Sequence, residues 1–185
     1  KGLGRAGWDA NGVKEGNDED GIVWGWGSEE ILQVLGSVYV RHGDNIGQSQ
    51  KGFLVYRLIV QQSGAETRSA PEKDLTTDVD AMLERVDENT KIVFLANPNN
   101  PTGSYIPYSD VKRLHEGLPE NVLLVLDGAY AEYVRNNDYS SGLELAGEQA
   151  NVLMTRIFSK IHGLAALRLG WAYGPANVID AIHRT

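Results

Sequence analysis

The spacing of apolar positions along the chain predicts strands that alternate with helices. Short, nearly continuous apolar runs are typical of strands buried on both faces, whereas apolar residues that recur every three or four positions indicate helices with one buried face. The predicted strands are GIVWGWG at 21–27, ETRSAPE at 66–72, KIVFLA at 91–96, VLLVLD at 122–127, NVLMTRIFS at 151–159 and LGWAYG at 169–174. The predicted helices are SEEILQVLGSVYV at 28–40, GFLVYRLIVQQSG at 52–64, DVDAMLERV at 78–86, SDVKRLHEGL at 109–118 and a last one that includes VIDAIHRT at 178–185. We therefore expect an α/β fold with a mostly parallel sheet covered by helices on both faces.

The N-terminal residues carry a different pattern from the rest of the chain. They are rich in glycine and charge and show little apolar periodicity. We expect a loop-like segment over 1–21 and one α/β domain over 22–185. Ser28 stands between a glycine-rich strand end and an amphipathic run, so it is the predicted N-cap of the first helix.

Composition and charge narrow the range of functions. The chain has 25 acidic and 17 basic residues and a net charge of −8, and its basic residues are scattered, which argues against a nucleic-acid surface. It has no cysteine, which excludes disulfides and Cys-ligated metals, and its four histidines show no metal-binding spacing, so we expect no metal. The apolar runs are too short to span a bilayer and no signal-peptide core is evident, so the expected location is the cytoplasm, without membrane association.

Residues with chemical potential follow the predicted strands. In α/β sheets, ligands collect at the carboxyl ends of the strands, so residues just beyond those ends are candidates for a shared site. The candidates are Ser28 at a helix start, Asn100 in the loop NPNNPTG, Asp127 and Tyr130 after VLLVL, and Ser159, Lys160 and Arg168 after the next strand. A helix N-terminus with a hydroxyl and an arginine favours a phosphate group. Lys160 lies between a strand and an apolar run, which predicts an inward-facing amine.

Three segments carry a family resemblance, namely ANPNNPTG at 96–103, VLLVLDGAYAEY at 122–133 and FSKIHGLAALRLGW at 158–171. They resemble the fold-type I aminotransferases that use pyridoxal 5′-phosphate (PLP), and in particular the histidinol-phosphate aminotransferase branch. The resemblance runs from about Ile22 to the last residue. It implies that 22–185 is the PLP-binding large domain and that PLP is the cofactor.

The resemblance also implies a role for each candidate residue. Lys160 would form a Schiff base with PLP and Asp127 would face the pyridine nitrogen, while Asn100 and Tyr130 would bind the 3′-oxygen. Ser28, Ser159 and Arg168 would bind the phosphate, Phe53 would stack on the ring, and Glu29 belongs to the same glycine-rich turn as Ser28. The catalytic residues would be Lys160, Asp127 and Tyr130. Phe53 could equally be a core aromatic residue.

General chemistry supports these assignments. A lysine amine attacks an aldehyde only in its unprotonated form, and burial or a nearby cation such as Arg168 favours that form. An aspartate that leaves a buried strand is costly as an isolated charge, and a protonated ring nitrogen opposite Asp127 would offset that cost.

The sequence departs from the family pattern at several positions. Trp26 and Glu29 stand where relatives commonly carry asparagine and aspartate, Ile157 replaces a frequent threonine, His162 a frequent tyrosine and Lys51 a frequent histidine. An indole beside a phosphate site is unexpected. Family members are also much longer, with an N-terminal arm and a C-terminal small domain, so we expect this chain to be the central PLP-binding piece, incomplete at both ends relative to the family.

The leading functional hypothesis is transamination between histidinol phosphate and 2-oxoglutarate in histidine biosynthesis. The expected partners are a small-molecule amino donor, a 2-oxo acid and a second copy of the chain in a homodimer. Because the cofactor residues are shared within the fold, a PLP-dependent decarboxylase or lyase is an alternative. A catalytically incomplete PLP-binding fragment is another. No GxGxxG follows the first strand, which argues against a nicotinamide-binding domain.

Overall fold

A computed structural model describes residues 21–185, so almost all of the predicted N-terminal segment lies outside the described residues. The strands are β1 (Ile22–Gly25), β2 (Asn45–Ser49), β3 (Glu66–Ala70), β4 (Glu72–Lys73), β5 (Thr76–Thr77), β6 (Thr90–Ala96), β7 (Leu123–Asp127), β8 (Val152–Ile157) and β9 (Gly170–Tyr173). The α-helices are α1 (Ser28–Tyr39), α2 (Leu54–Ser63), α3 (Val79–Leu83), α4 (Tyr108–Gly117), α5 (Leu143–Glu148) and α6 (Ala176–His183).

Seven strands form one mixed sheet in the order β1-β9-β8-β7-β6-β2-β3. The four pairs that join β3, β2, β6, β7 and β8 are parallel. The pairs β8–β9 and β9–β1 are antiparallel, and β4 and β5 form a separate two-stranded sheet. The prediction of a mostly parallel sheet is confirmed. Its carboxyl ends bring the loops after β6, β7 and β8 to one edge.

Two apolar clusters lie on the two faces of the sheet. Along β6, Ile92 and Phe94 belong to the cluster that packs against α1, α2 and α6, whereas Val93 and Leu95 belong to the one that packs against α3, α4 and α5. This alternation between two buried faces explains why β6 reads as a continuous apolar run. The prediction of helices on both faces is confirmed. None of the helices in residues 21–185 is long and apolar enough to cross a membrane.

Some local predictions were wrong. The N-cap of α1 is Gly27, with φ 84° and ψ 169°, and Ser28 is the first helical residue. Glycine adopts that conformation readily, whereas serine does not. The third predicted helix is shorter than expected and ends at Leu83, and Asp78 caps its start by accepting from the N–H groups of Asp80 and Ala81.

The elements that were not predicted include the small sheet of β4 and β5, the strand β2 and the helix α5. The internal strand β2 reads NIGQS, and its polar residues Asn45, Gln48 and Ser49 are buried, so it lacks the apolar signature of a strand. The short helix α5 reads LELAGE, which is too brief to show helical periodicity. Tertiary packing rather than local pattern places β2 and α5.

Candidate active site

One cavity of about 240 Å³ lies at the carboxyl edge of the sheet. Its lining includes the nine residues that the sequence singled out: Ser28, Glu29, Phe53, Asn100, Asp127, Tyr130, Ser159, Lys160 and Arg168. They come from separate segments of the chain, which the parallel strands bring to one edge. The cavity therefore brings together a guanidinium, an amine, two carboxylates, an amide, hydroxyls and aromatic rings in a small volume.

One end of the cavity is suited to an anion. The backbone approaches closely here, because a Cβ added at Gly170 would lie 2.5 Å from the carbonyl carbon of Gly27 and from the nitrogen of Ser28. A Cβ added at Gly27 would lie 3.2 Å from Nη2 of Arg168. The guanidinium of Arg168 thus lies against the start of α1, whose first N–H groups have no acceptor within the helix. Arg168 has φ 48°, a left-handed conformation that is strained for a residue other than glycine.

Asp127 forms the floor of the cavity at the end of β7. The side chain is 5% exposed, and its carboxylate accepts hydrogen bonds from Tyr56 Oη at 2.8 Å, from the Ala129 N–H at 3.2 Å and from Thr155 Oγ1 at 3.3 Å. Burial raises the pKa of Asp127, whereas these hydrogen bonds and the charge of Lys160 act in the opposite direction. The buried carboxylate is therefore partly stabilised by the chain itself.

Lys160 lies in the loop after β8, and its Nζ is 5.2 Å from the centroid of the Tyr130 ring. Its side chain lines the cavity, but the residue is exposed rather than buried as the sequence suggested. The reason is that the strand ends at Ile157 and the following loop leaves the sheet before Lys160 is reached. Within this loop the N–H of Gly163 donates to the carbonyl of Lys160 at 3.0 Å.

The loop NPNNPTG at 97–103, which carries Asn100, is tied to the turn that carries Phe53. The side-chain amide of Asn99 donates to the carbonyl of Lys51 at 3.2 Å and to Thr102 Oγ1 at 2.9 Å. Asn99 thereby ties the segment next to Asn100 to the turn before Phe53. The ring of Phe53 contacts the Tyr56 ring edge to face, with centroids 5.7 Å apart. Asn100 and Phe53, the two predicted contacts of the cofactor ring in this region, therefore lie in segments that are held together by hydrogen bonds.

The positions that depart from the family pattern fall into different places. The Trp26 side chain is 79% exposed and lies outside the cavity lining, so the indole does not fill the anion end. Ile157 does line the cavity. His162 Nε2 lies 3.7 Å from Oε1 of Glu132, which also pairs with Arg156. Lys51 is exposed and contributes backbone groups to the turn.

Two residues of this site were missed from the sequence, namely Tyr56 and Thr155. Tyr56 is 71 positions from Asp127 along the chain, and no local pattern connects them. The only available signal was the position of Tyr56 one helical turn after Phe53. Thr155 lies on β8, four residues before Ser159. Side chains alternate between the two faces of a strand, so the Thr155 side chain is on the same face as that of Ile157.

Metal-ligand clusters are not found in the described part of the chain. No group of three or more His, Asp or Glu side chains within residues 21–185 is arranged to hold a metal ion.

Comparison with known proteins identifies a family. The family model described as aminotransferase class I and II matches residues 6–185. The chain belongs to this family. Among curated aminotransferases, the histidinol-phosphate aminotransferase of Maricaulis maris is 60% identical over 170 residues, which cover 92% of this chain and 47% of that protein. One from Rhodopseudomonas palustris is 56% identical over 176 residues, 95% of this chain and 48% of that protein.

Solved structures show the same fold. The histidinol-phosphate aminotransferase of Sinorhizobium meliloti, crystallised in complex with pyridoxal-5′-phosphate, matches with a TM-score of 0.84 and 32% identity over 90% of this chain and 45% of that one. A putative histidinol-phosphate aminotransferase from Erwinia carotovora atroseptica has a TM-score of 0.87 at 24% identity, and it supports the fold alone. The chain spans about half the length of the curated relatives it matches.

Proposed function

We propose that this chain is the PLP-binding part of an aminotransferase that transfers the amino group of histidinol phosphate to 2-oxoglutarate. The observation that carries the proposal is that the nine residues expected from the family motifs line one cavity of about 240 Å³. The names of the relatives from Maricaulis maris and Rhodopseudomonas palustris support the choice of amino donor. The structure from Sinorhizobium meliloti, which is a complex with PLP, supports the choice of cofactor.

The residues of the cavity fit PLP. The anion end, formed by Arg168 and the start of α1, would hold the phosphate, together with the hydroxyls of Ser28 and Ser159. Gly27 is part of this fit, because the guanidinium of Arg168 lies where a side chain would be. Glu29, next to Ser28 in the first turn of α1, also lines the cavity.

The remaining residues suit the aromatic ring of the cofactor. Asp127 would accept a hydrogen bond from the protonated ring nitrogen, and Phe53 would cover one face of the ring. Asn100 and Tyr130 would donate to the ring oxygen. The polar groups of this half of the cavity therefore complement the ring at the nitrogen and at the oxygen.

When bound, PLP supplies an aldehyde that combines with amines and a ring that withdraws electrons from the substrate. Lys160 would bind the cofactor covalently through Nζ and, once released, accept the proton from the α-carbon of the substrate on the same atom. Asp127 would place a negative charge beside the ring nitrogen. The Tyr130 ring centroid lies 5.2 Å from Lys160 Nζ, so the ring would help to orient this amine.

By family resemblance we infer a homodimer, a cytoplasmic location and a place in histidine biosynthesis. We also propose that residues 22–185 act as one PLP-binding domain and that residues 1–21 precede it as a loop-like segment. Analytical ultracentrifugation of the purified protein would test the dimer directly.

Borohydride trapping with peptide mapping tests the covalent step. After incubation with PLP and reduction, we expect the pyridoxyl label on Lys160 and its loss in Lys160→Ala. Lys112 offers a matched control, because its Nζ lies 5.0 Å from the Tyr108 ring centroid but outside the cavity lining. Label on Lys112 in place of Lys160 would contradict the assignment.

A turnover assay tests the substrate. In the protein that carries this chain, histidinol phosphate with 2-oxoglutarate should yield glutamate, and Lys160→Ala should abolish the product. Release of carbon dioxide or of a sulfur compound from other amino acids, without glutamate formation, would favour the decarboxylase or lyase alternatives over transamination.

A further inference from the structure

A buried tyrosine contacts the carboxylate at the floor of the cavity. Tyr56 on α2 is 1% exposed and Asp127 is 5% exposed. The hydroxyl of Tyr56 donates to Oδ2 of Asp127 at 2.8 Å, a normal hydrogen-bond length for an O–H donor and a carboxylate. The other carboxylate oxygen, Oδ1, accepts from the Ala129 N–H and from Thr155. Among these three donors, Tyr56 is therefore the one that binds Oδ2.

Aromatic packing fixes the orientation of the Tyr56 side chain and so the position of its hydroxyl. The Tyr56 ring lies parallel to the Phe94 ring, with centroids 4.5 Å apart and an interplanar angle of 6°. Its edge meets the Phe53 ring at 87°, with centroids 5.7 Å apart. Because rings on two sides hold it, the Tyr56 ring cannot rotate away without disturbing its packing on Phe94 and on Phe53, which lines the cavity.

We propose that Tyr56 is a positioning residue for the cofactor site: its hydroxyl stabilises the anionic form of Asp127 and fixes the direction in which that carboxylate faces the cavity. The inference rests on the proposed function, in which Asp127 meets the ring nitrogen of PLP. It adds a residue that lies outside the cavity lining and acts through another side chain.

The balance of charges around the carboxylate supports this role. Burial raises the pKa of Asp127, and the hydrogen bond from Tyr56 is the leading influence that lowers it. Burial and the neighbouring carboxylate raise the pKa of Tyr56 well above its usual value, so the phenol stays protonated and remains a donor. Besides Tyr56, the titratable groups that act on Asp127 in the described residues are Lys160, after β8, and Tyr139, before α5.

The test is a titration of Asp127 in the chain without cofactor. Carbon-13 labelling of the aspartate carboxyls allows NMR titration, and Asp127→Asn identifies the Asp127 signal. Tyr56→Phe keeps the ring that packs on Phe94 and Phe53 and removes only the hydroxyl. A hydrogen bond to a charged group is strong enough that we expect the midpoint of Asp127 to rise by about one pH unit or more.

Tyr39→Phe is the matched control. Tyr39 is partly buried against the same apolar cluster and lies at the end of the 12-residue helix α1, whose opposite end faces the cavity. It loses the same atom, and the titration of Asp127 should not move. An Asp127 midpoint that is the same in Tyr56→Phe as in the wild type would overturn the proposal.

A second measurement needs no variant and covers the case in which Tyr56→Phe does not fold. In the wild type, the Tyr56 hydroxyl proton should exchange slowly and give a downfield proton resonance that shifts as Asp127 is protonated. A Tyr56 hydroxyl resonance whose chemical shift stays constant while Asp127 is protonated would overturn the proposal.

Cofactor trapping separates this inference from the proposed function. If the wild type fails to take the PLP label on Lys160, the proposed function fails, yet the titration still decides whether Tyr56 stabilises the charge of Asp127. If the wild type takes the label, Tyr56→Phe should weaken retention of PLP while leaving the labelled site at Lys160.

Discussion

The glycine at the start of α1 offers a quantitative test of the anion end. Gly27 has φ 84° and ψ 169°, a region that residues other than glycine rarely occupy, so Gly27→Ala should cost roughly 1–3 kcal/mol of folding free energy. The new Cβ would also lie 3.2 Å from Nη2 of Arg168 and 3.8 Å from Cδ1 of Ile157. The guanidinium is the end of a flexible, exposed side chain and would give way, which moves it from its place beside the helix start.

Displacing the guanidinium should weaken phosphate binding. A hydrogen bond to a charged group contributes about 1.5–3 kcal/mol, so loss of one such contact predicts at least about tenfold weaker binding of PLP. Gly43→Ala separates this effect from backbone strain, because Gly43 has φ 93° and no atom lies within 4 Å of a Cβ added there. That variant should lose about 1–2 kcal/mol of stability through the left-handed conformation alone.

Urea unfolding and equilibrium PLP binding, measured on both variants, distinguish the two contributions. We expect both variants to lose stability and only Gly27→Ala to lose affinity. Affinity that falls equally in Gly43→Ala, or that stays unchanged in Gly27→Ala, would refute the assignment of Arg168 and the start of α1 to the phosphate.

Two further predictions concern charges around the site. Glu132→Gln should lower the free energy of unfolding by roughly 1–3 kcal/mol, because the mostly buried Arg156 loses its charged partner, whereas Asp180→Asn, which frees the exposed Arg184, should change urea unfolding within error. Equal effects of the two variants would contradict this reasoning. Burial raises the pKa of Asp127 in the folded chain, so its protonation favours folding: this stabilisation is complete below about pH 4 and is lost as pH rises through the folded pKa. The unfolding free energy of the wild type, relative to Asp127→Asn, should fall over that range, and a rise with pH would contradict the direction of the pKa shift.

Much of the fold could be predicted because the sheet is buried on both faces. Strands β6, β7 and β8 must place apolar side chains on each side, so each contains a continuous apolar run: IVFLA at 92–96, LLVL at 123–126 and VLM at 152–154. Polar residues that end such runs are conspicuous, which is why Asp127 could be identified from the sequence. The parallel arrangement then requires Asn100, Asp127 and Lys160 to meet at one edge, since each follows a parallel strand.

Prediction from the sequence failed where polar residues are buried or apolar residues are exposed. Strand β2 is fully buried although four of its five residues are polar or glycine, because it lies between β3 and β6 and its backbone is paired on both sides. Lys160 was expected to be buried because an apolar run follows it, yet Ile161, Leu164 and Leu167 are themselves 43–64% exposed. The apolar composition of this loop therefore predicts its burial wrongly, because the position of the loop depends on where the preceding strand ends.

The contact between Tyr56 and Asp127 shows why the support of a site is harder to predict than the site itself. A carboxylate at a strand end can be recognised in the sequence, because its polarity interrupts an apolar run. A tyrosine on the buried face of an amphipathic helix looks like any other core aromatic, because its ring packs as one and only its hydroxyl differs. Burial of Asp127 nevertheless requires donors that face it, since an unpartnered buried charge costs several kcal/mol. The sequence could therefore predict that such donors exist, but only the packing of α2 on the sheet identifies Tyr56 as one of them.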